Sequence, residues 1–359
     1  MKYVQPLHIP ALYCPIPLRQ PHSQTDCIQQ RSLEWISGFE VADAATLTSP
    51  QWATVPRVAC WMLPWADQDR LQVYADWVCF TMIDDSFDGD QSGPSDPGAL
   101  AVLGSHLIRV AQCPDSDLLP GYGWANVLRD IMARLARLGA TSAQLTCLVE
   151  ATRAFVLGVT WEAACHRKTE MPTIDDYALM RLNSGGMLTY AALYPMLEGY
   201  ELTQQEIHAS SVRALTEMAA TLSSWDNDFF SHFRERSENP RPINLIEVFA
   251  SAHGCSSQQA VGLALNLRDK VMSRYLRLGE QVRADASENL RRYLTGLDQM
   301  IRGNIDFSMG TERYANPYNG DPAEVPWATF PRYTTDTPSN DDPEPPPLPS
   351  ITWWWKDRL

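Results

Sequence analysis

The sequence predicts an all-α fold, a single large helical bundle, from three observations. Apolar residues recur at helical spacing through most of the middle of the chain, strand-like alternation is scarce, and several segments begin at helix-capping residues. The chain has 359 residues, 45% of them hydrophobic, so it can bury a sizeable core. We expect one helical domain over residues 1–316 and a Pro- and Trp-rich tail over residues 317–359.

The helical spacing defines the elements that we expect along the chain. The helical segments are residues 67–88, 98–112, 121–138, 142–168, 173–198, 203–236, 257–282 and 286–314. Helix starts are indicated at Thr141, at Thr173 after Pro172, and at Thr203. Glu206 follows Thr203 by three residues, which is the pattern of a capping box.

The tail has a different character from the rest of the chain. Ten of the 26 prolines lie from Pro317 onwards, and Trp353, Trp354 and Trp355 stand near its end. No packed helix fits this composition, so we expect an irregular or partly disordered segment. It is either loosely draped or an extended segment that docks on the body or a partner through its tryptophans.

Charge and hydropathy argue against two classes of partner. The chain has 29 Lys and Arg against 43 Asp and Glu, with no basic run, so nucleic acid is not expected. Its apolar stretches fall far short of the ~20 residues that span a bilayer. The N-terminus is interrupted by prolines where a signal peptide needs an apolar helix. We expect a soluble, cytoplasmic protein with no membrane partner.

An acidic cluster follows the apolar helical run that ends at Ile83. On a helix Asp84 and Asp88 are neighbours, and Asp85 lies one step round the same side. Carboxylates this close repel one another unless cations occupy the cluster, and their oxygens suit Mg²⁺ or Ca²⁺. An EF-hand loop is excluded because Ser95 stands where that loop needs a bidentate Glu. An acidic helix end running into a loop is the alternative, although acids there oppose the helix dipole.

A second polar group lies inside the segment 203–236. Asn227, Ser231 and Glu235 are spaced i, i+4 and i+8, so an amide oxygen, a hydroxyl and a carboxylate share one helix face. Three oxygen donors in a row can hold one divalent cation. Two oxygen-rich sites of this kind suggest a substrate that bridges metal ions, such as a diphosphate.

A diphosphate site also needs donors of positive charge. Arg181 lies in the segment 173–198 and Arg234 inside the second polar group. Arg313 and Tyr314 end the last helical segment. Each arginine alone is typical of an ordinary protein surface. Only their order along the chain, relative to the two polar groups, indicates a diphosphate site.

With these motifs in this order, the chain resembles the class I terpene synthases (terpene cyclases) of the microbial type over about residues 10–316. The matching metal motifs are DDxxD at Asp84, Asp85 and Asp88, and NDxxSxxxE at Asn227, Ser231 and Glu235. Arg234 stands where the second motif usually has Lys or Arg. DDxxD alone is weakly specific, whereas the full order of motifs is strongly specific.

The resemblance also covers the positions between and after the metal motifs. Arg181, 46 residues before Asn227, matches the diphosphate-sensing arginine of the family. Ser184 and Gly185 match the linker and effector positions, where the helix breaks and aims a carbonyl at the substrate. Arg313 and Tyr314 match the C-terminal RY pair.

Two positions depart from the family pattern. Phe307 stands six residues before Arg313, where many relatives have Trp. Thr81 stands three residues before Asp84, where an aromatic residue is frequent, and Phe80 is retained beside it. These departures bear on the product rather than on the class of reaction.

The resemblance implies a carbon–oxygen lyase that acts on a linear prenyl diphosphate. It also implies that the enzyme binds three Mg²⁺ ions. The diphosphate donors implied are Arg181, Arg234, Arg313 and Tyr314. Aromatic faces would stabilise the carbocation, and the candidates for them are Phe80, Phe307, Tyr190, Tyr194 and Trp225. A homodimer is a further implication. Chain-elongating prenyltransferases and non-catalytic helical binding modules are the remaining alternatives.

The resemblance leaves the length of the substrate open. C15 farnesyl diphosphate is the first expectation, and C20 geranylgeranyl diphosphate is the alternative. Small residues at Gly185, Gly186, Ala191 and Ala192 would allow the roomier cavity that a C20 chain needs, if they face it.

Overall fold

A computed structural model describes residues 7–83, 96–314 and 331–356 of the chain. These residues form helices and loops, and one isolated parallel β-bridge joins Tyr13 to Thr335. The predicted all-α class is confirmed. The helices are α1 (Thr25–Ser37), α2 (Ala44–Thr48), α3 (Pro50–Ala53), α4 (Arg57–Met62), α5 (Gln68–Thr81), α6 (Pro97–Gln112), α7 (Gly123–Arg137), α8 (Ser142–His166), α9 (Ile174–Ser184), α10 (Met187–Glu198), α11 (Gln204–His208), α12 (Ser210–Glu238), α13 (Leu245–His253), α14 (Ser257–Asp285), α15 (Glu288–Gly310) and α16 (Pro349–Thr352). Short 3₁₀ turns cover Glu312–Tyr314 and Trp353–Trp355.

The three helix starts indicated by the sequence are observed. The hydroxyls of Thr141 and Thr203 accept hydrogen bonds from the third backbone N–H of their helices, and both positions form full capping boxes. The Thr173 hydroxyl accepts in the same way from the Asp176 N–H. These side chains satisfy backbone donors that a helix start leaves unpaired.

Two predicted helices are each divided in the structure. The segment 173–198 is interrupted between Ser184 and Met187, and the segment 203–236 is interrupted at Ala209. The sequence did not predict helices α1 to α4, α13 and α16. Helices α2 to α4 and α16 have four to six residues and are too short to show a helical period. Of the predicted helix 67–88, the described part ends as a helix at Thr81.

The long helix α12 lies at the centre of the bundle. It packs against α15, α14, α10 and α9, while α8 packs against α6, α9 and α10. Helix α5 contacts α1, α7 and α10. Helices α5, α9, α10 and α12, which carry or adjoin the predicted site residues, are thereby held against one another. In the described ranges, no helix combines the length and apolar character that crossing a membrane requires.

The described part of the tail is mostly irregular, but it is packed on the bundle. The Trp354 side chain is fully buried, and Ile351 is 1% exposed. Thr335 and the N-terminal segment exchange backbone hydrogen bonds, from Thr335 N to Leu12 O at 2.9 Å and from Cys14 N to Thr335 O at 3.0 Å. The docked alternative therefore describes residues 331–356 better than the loosely draped one. The division into 1–316 and 317–359 stays a prediction.

Candidate active site

The C-terminal end of α5 is joined to α10 by two polar contacts. The Trp77 Nε1 donates to the Thr189 hydroxyl at 2.8 Å, and the Thr81 and Tyr190 hydroxyls are 2.6 Å apart. Burial raises the pKa of Tyr190, while Thr81 and the charge of Arg313 oppose that rise. The position of the missing aromatic residue is therefore taken by a threonine that hydrogen-bonds a tyrosine of α10. The predicted metal ligands Asp84, Asp85 and Asp88 lie outside the described residues.

The break between α9 and α10 lies in a narrow space. A Cβ on Gly185 would stand 2.0 Å from the Ser224 hydroxyl of α12, so only glycine fits there. On the other side, a Cβ on Gly158 of α8 would stand 2.4 Å from the Ser184 backbone nitrogen. Gly186 adopts φ +70°, a conformation that favours glycine and turns the chain into α10. The helix break expected at Ser184 and Gly185 is thus present.

Arg181 bridges α9 to α12. Its Nε and one Nη lie 3.0 and 2.8 Å from the Asp228 carboxylate, and the Nη also donates to Asn227 Oδ1 at 3.2 Å. The Arg181 side chain is 13% exposed. The predicted diphosphate sensor and the first residue of the predicted metal triad are therefore in direct contact.

Asp228 is a buried anchor for this arginine. Burial and, less strongly, the charge of Glu235 raise the pKa of its carboxyl, whereas the charge of Arg181 and the hydrogen bonds from Tyr177 and the Leu245 N–H lower it. The resulting pKa is about 7, above the usual value of a carboxyl group. Its ionised form therefore depends on these partners, of which Arg181 is the strongest. Both Tyr177 and Asp228 are buried, so this pairing is shielded from solvent.

The remaining residues of the triad lie further along the same face of α12. The Ser231 hydroxyl donates to Glu235 Oε1 at 2.5 Å. The fully buried Asn244, the N-cap of α13, donates to Glu235 Oε2 at 2.8 Å and to the Asp228 carbonyl at 2.9 Å. Asn244 therefore links Glu235 to the anchor of Arg181.

The C-terminal RY pair approaches the triad from a third element. Asn227 Nδ2 donates to the Tyr314 hydroxyl at 2.5 Å, and the Tyr314 ring stacks on Phe230 of α12 with centroids 6.4 Å apart. The Arg313 guanidinium lies 5.9 Å from the Tyr314 ring centroid. Arg181, Asn227 and Tyr314 therefore form one continuous polar group.

Other predicted site residues lie in less direct positions. Arg234 forms an ion pair with Glu238 at 3.2 Å on the outer part of α12. Phe80 is buried beside Trp77 and Trp124, with ring centroids 5.0 and 6.3 Å away. Phe307 is buried on α15. Their predicted roles stay predictions.

The small residues of α10 give no support for a larger site. Ala191 and Ala192 line a groove of about 400 Å³ together with Thr216 and Tyr293. Thr216 lies three helical turns before Asn227 on α12. None of the triad residues lines this groove, so these alanines do not by themselves argue for a C20 substrate.

The donor set of the triad fits a divalent cation. An amide oxygen, a hydroxyl and a carboxylate on one helix face are hard oxygen ligands, which suit Mg²⁺ better than softer metals. Ser231 and Glu235 already converge, with their oxygens 2.5 Å apart. No group of three or more His, Cys, Asp or Glu that could hold a metal lies among the described residues. The triad is not such a group, because two of its three ligands are Asn227 and Ser231.

Sequence reasoning did not assign roles to Asp228, Tyr177 and Asn244. Asp228 is the D of the NDxxSxxxE motif, so its position was visible, but its partner 47 residues earlier was not. Tyr177 precedes Arg181 by one helical turn, which would suggest a shared face. Asn244 lies beyond α12, and no signal in the sequence connects it to Glu235.

Comparisons with known proteins agree with this arrangement. A family model described as terpene synthase family 2, C-terminal metal binding, matches residues 77–274. Bonnadiene synthase of Allokutzneria albata is 40% identical over 362 residues, which cover 98% of each chain. (+)-T-muurolol synthase of Streptomyces clavuligerus is 33% identical over 347 residues, covering 96% of this chain and 81% of that protein.

A solved structure extends the agreement to the fold. The crystal structure of the SVS_A2 protein from ancestral sequence reconstruction superposes with a TM-score of 0.80 at 30% identity. The match covers 97% of this chain and 99% of that one. With the family model spanning more than half of the chain and relatives above 30% identity along nearly all of it, the chain belongs to the terpene synthase family.

Proposed function

We propose that this chain is a divalent-metal-dependent terpene cyclase that ionises a linear prenyl diphosphate, cyclises the carbocation to a terpene hydrocarbon or alcohol, and releases diphosphate. It is then a carbon–oxygen lyase. The observation that supports this best is the meeting of Arg181, Asn227 and Tyr314, which come from three separate elements. A cationic donor, a metal ligand and a phenol at one point are what a metal-bound diphosphate requires.

The proposed metal complement is three Mg²⁺ ions. Asp84, Asp85 and Asp88 would hold two of them, and Asn227, Ser231 and Glu235 would hold the third. When bound, such ions neutralise the charge that develops on the diphosphate oxygens as the carbon–oxygen bond breaks.

The chain's own residues would orient the leaving group and protect the cation. Arg181, Arg234, Arg313 and Tyr314 would donate hydrogen bonds to the diphosphate oxygens. The proposed role of Ser184 and Gly185 is to end α9 so that a backbone carbonyl is directed at the substrate.

The carbocation needs walls that stabilise it without attacking it. Phe80 and Phe307 would offer ring faces, each worth about 0.5 to 2 kcal/mol to a nearby cation. Exclusion of water from the closed site would prevent the formation of simple alcohols. These roles rest on the resemblance of the motifs and on the burial of both rings.

The proposed substrate is farnesyl diphosphate. The name of the 33%-identical T-muurolol synthase gives (2E,6E)-farnesyl diphosphate as the compound that enzyme cyclises. Geranylgeranyl diphosphate is the alternative substrate for the same chemistry. Assembly as a homodimer and a cytoplasmic location stay predictions of the sequence.

The test is incubation of the full chain with C10, C15 and C20 prenyl diphosphates, with Mg²⁺ or with EDTA, followed by gas chromatography and mass spectrometry. We expect a cyclic C15 product that depends on Mg²⁺. Asn227→Ala should abolish turnover and leave the helical content intact, because it removes a metal ligand. Gln112→Ala, which changes an exposed amide side chain at the end of α6, is the matched control and should retain full turnover.

Several results would contradict the proposal. Full activity of Asn227→Ala, or turnover without a divalent metal, would remove the assigned chemistry. Longer chains formed with added isopentenyl diphosphate would indicate a prenyltransferase. Failure to release diphosphate from all three substrates would favour a non-catalytic binding module.

A further inference from the structure

The end of the tail contacts the helix that carries Arg181. Helix α16 packs against α9, and the Ser350 N–H and hydroxyl donate to the Asp175 carboxylate at 3.0 and 2.6 Å. Asp175 lies in the first turn of α9, six residues before Arg181. The tail is thus bonded to the start of the short helix that ends at the Ser184–Gly185 break.

The same part of the tail is anchored on α12, the helix of the metal triad. The fully buried Trp354 donates from Nε1 to Glu217 Oε2 at 2.9 Å. The Arg213 guanidinium lies 4.3 Å from the Trp353 ring centroid, a cation–π contact on the same helix. Glu217 precedes Asn227 by ten residues on α12.

A third helix holds the tail in this position. Arg274 of α14 donates to the Trp354 carbonyl at 2.8 Å, and Lys270 pairs with Asp342 at 2.9 Å. The Ser339 N–H and hydroxyl donate to the Asp269 carboxylate at 2.8 and 2.7 Å. Contacts on three helices make the described tail a brace rather than a loosely attached strand.

The contact that such a brace would preserve lies between α9 and α12. Helix α9 has 11 residues and is separated from α10 by the glycine break. Its register against α12 sets the 3.2 Å distance from the Arg181 guanidinium to Asn227 Oδ1. A small rotation of α9 would move a long arginine side chain away from the triad.

We propose that Ser350 and Trp354 are positioning residues that hold α9 against α12, so that Arg181 is preorganised for the diphosphate. The inference rests on the diphosphate-binding role proposed above for Arg181. It predicts that weakening the brace weakens diphosphate binding through Arg181 specifically.

Calorimetric titration with Mg²⁺ and inorganic diphosphate tests this without turnover. Ser350→Ala removes the side-chain hydrogen bonds to Asp175 with little loss of volume, and Trp354→Phe removes the hydrogen bond to Glu217 while keeping an aromatic ring at the buried position. Each should weaken binding by up to about fivefold, because the free energy of one hydrogen bond is the most that its loss can transmit to Arg181. In an Arg181→Lys background the same changes should have less than about a twofold effect, because coupled residues are not additive. Tyr333→Ala, which removes a 66% exposed aromatic side chain of the tail, is the control and should bind as the unaltered chain does.

The outcomes separate the brace from the function on which it rests. Unaltered binding by Ser350→Ala and Trp354→Phe, while the unaltered chain binds diphosphate and turns over substrate, overturns the brace alone. An equal loss of diphosphate affinity in the unaltered and Arg181→Lys backgrounds also overturns the brace, because it would mean that the changes loosen the whole protein. If the unaltered chain neither binds Mg²⁺ with diphosphate nor releases diphosphate from substrates, both proposals are overturned.

Discussion

The Arg181–Asp228 pair shows how much of the site depends on individual side chains. Asp228→Asn keeps the shape of the side chain but removes the charge that holds Arg181 and replaces one of its two acceptor oxygens by a donor. We expect kcat/KM to fall about 10- to 100-fold, the range for a hydrogen bond to a charged group. Steady-state kinetics on the proposed substrate, normalised to folded protein, measure this effect.

Asp226→Asn is the matched control on the same helix. Asp226 pairs with Arg268 at 2.7 Å, and both side chains are fully buried. This change should lower stability, yet leave kcat/KM of the folded protein within about threefold, because Asp226 holds no residue of the candidate site. Equal losses of kcat/KM in the two variants would contradict a specific role for Asp228.

The Thr81–Tyr190 hydrogen bond allows a second prediction at this scale. Thr81→Val leaves the buried Tyr190 hydroxyl without this partner, which costs about 1 to 3 kcal/mol of unfolding free energy. Tyr190→Phe should cost less, because the Thr81 hydroxyl still donates to the Val78 carbonyl at 2.8 Å. The double variant leaves neither unpaired, so its loss should be smaller than the sum of the two single losses. Urea unfolding of all four proteins measures this coupling, and strict additivity would show that the contact contributes nothing.

The sequence could predict a residue of the candidate site where that residue belongs to a motif with characteristic spacing. Arg181, Asn227 and Tyr314 follow from their order in the chain, and the structure brings them together. Asn244 was not predictable, because an N-cap residue satisfies its own helix first and nothing in the sequence indicates a contact with Glu235. Three-dimensional packing decides such pairs.

At the level of elements, the α9–α10 break requires close approach by its neighbours. Gly158→Ala would place a Cβ 2.4 Å from the Ser184 backbone, which cannot move as a flexible side chain would. We expect a loss of about 1 to 3 kcal/mol in the free energy of unfolding, as for overpacked cores. Gly262→Ala is the matched control. Gly262 lies exposed within α14 with nothing near its Cβ position, so this change should stabilise the chain by about 1 kcal/mol.

Urea unfolding measures both glycine variants. A stable Gly158→Ala protein would mean that α8 and α9 can separate at no cost.

Helical periodicity alone predicts one helix over 173–198, because Leu, Met and Tyr continue the apolar pattern through the break. Only the resemblance of Ser184 and Gly185 to the family's linker and effector indicated the interruption.

For the whole molecule, the two ends of the chain are fastened to the same helices. Arg302 of α15 donates to the Ile16 carbonyl at 2.8 Å and to the Thr334 hydroxyl at 3.2 Å. Arg268 of α14 donates to the Tyr13 carbonyl as well as to Asp226. The composition of the tail indicated an irregular segment, but its site of docking depends on buried arginines, which a sequence reading assigns to the surface.

Arg268 therefore ties the N-terminal segment to the helix that carries the metal triad. Arg268→Met removes the charge and leaves Asp226 buried without its partner, although burial raises the pKa of Asp226 and eases its neutralisation. We expect a loss of about 3 to 5 kcal/mol in the free energy of unfolding, as when one partner of a buried ion pair is removed. The double variant Arg268→Met, Asp226→Leu should recover part of this loss, because Asp226 is then no longer left buried without its partner. Asp269, 3.2 Å from Arg268, loses the arginine in both variants. Urea unfolding of the unaltered chain and the two variants measures this: a double variant less stable than Arg268→Met would mean that Asp226 stabilises the fold even without Arg268, and would contradict the expected recovery.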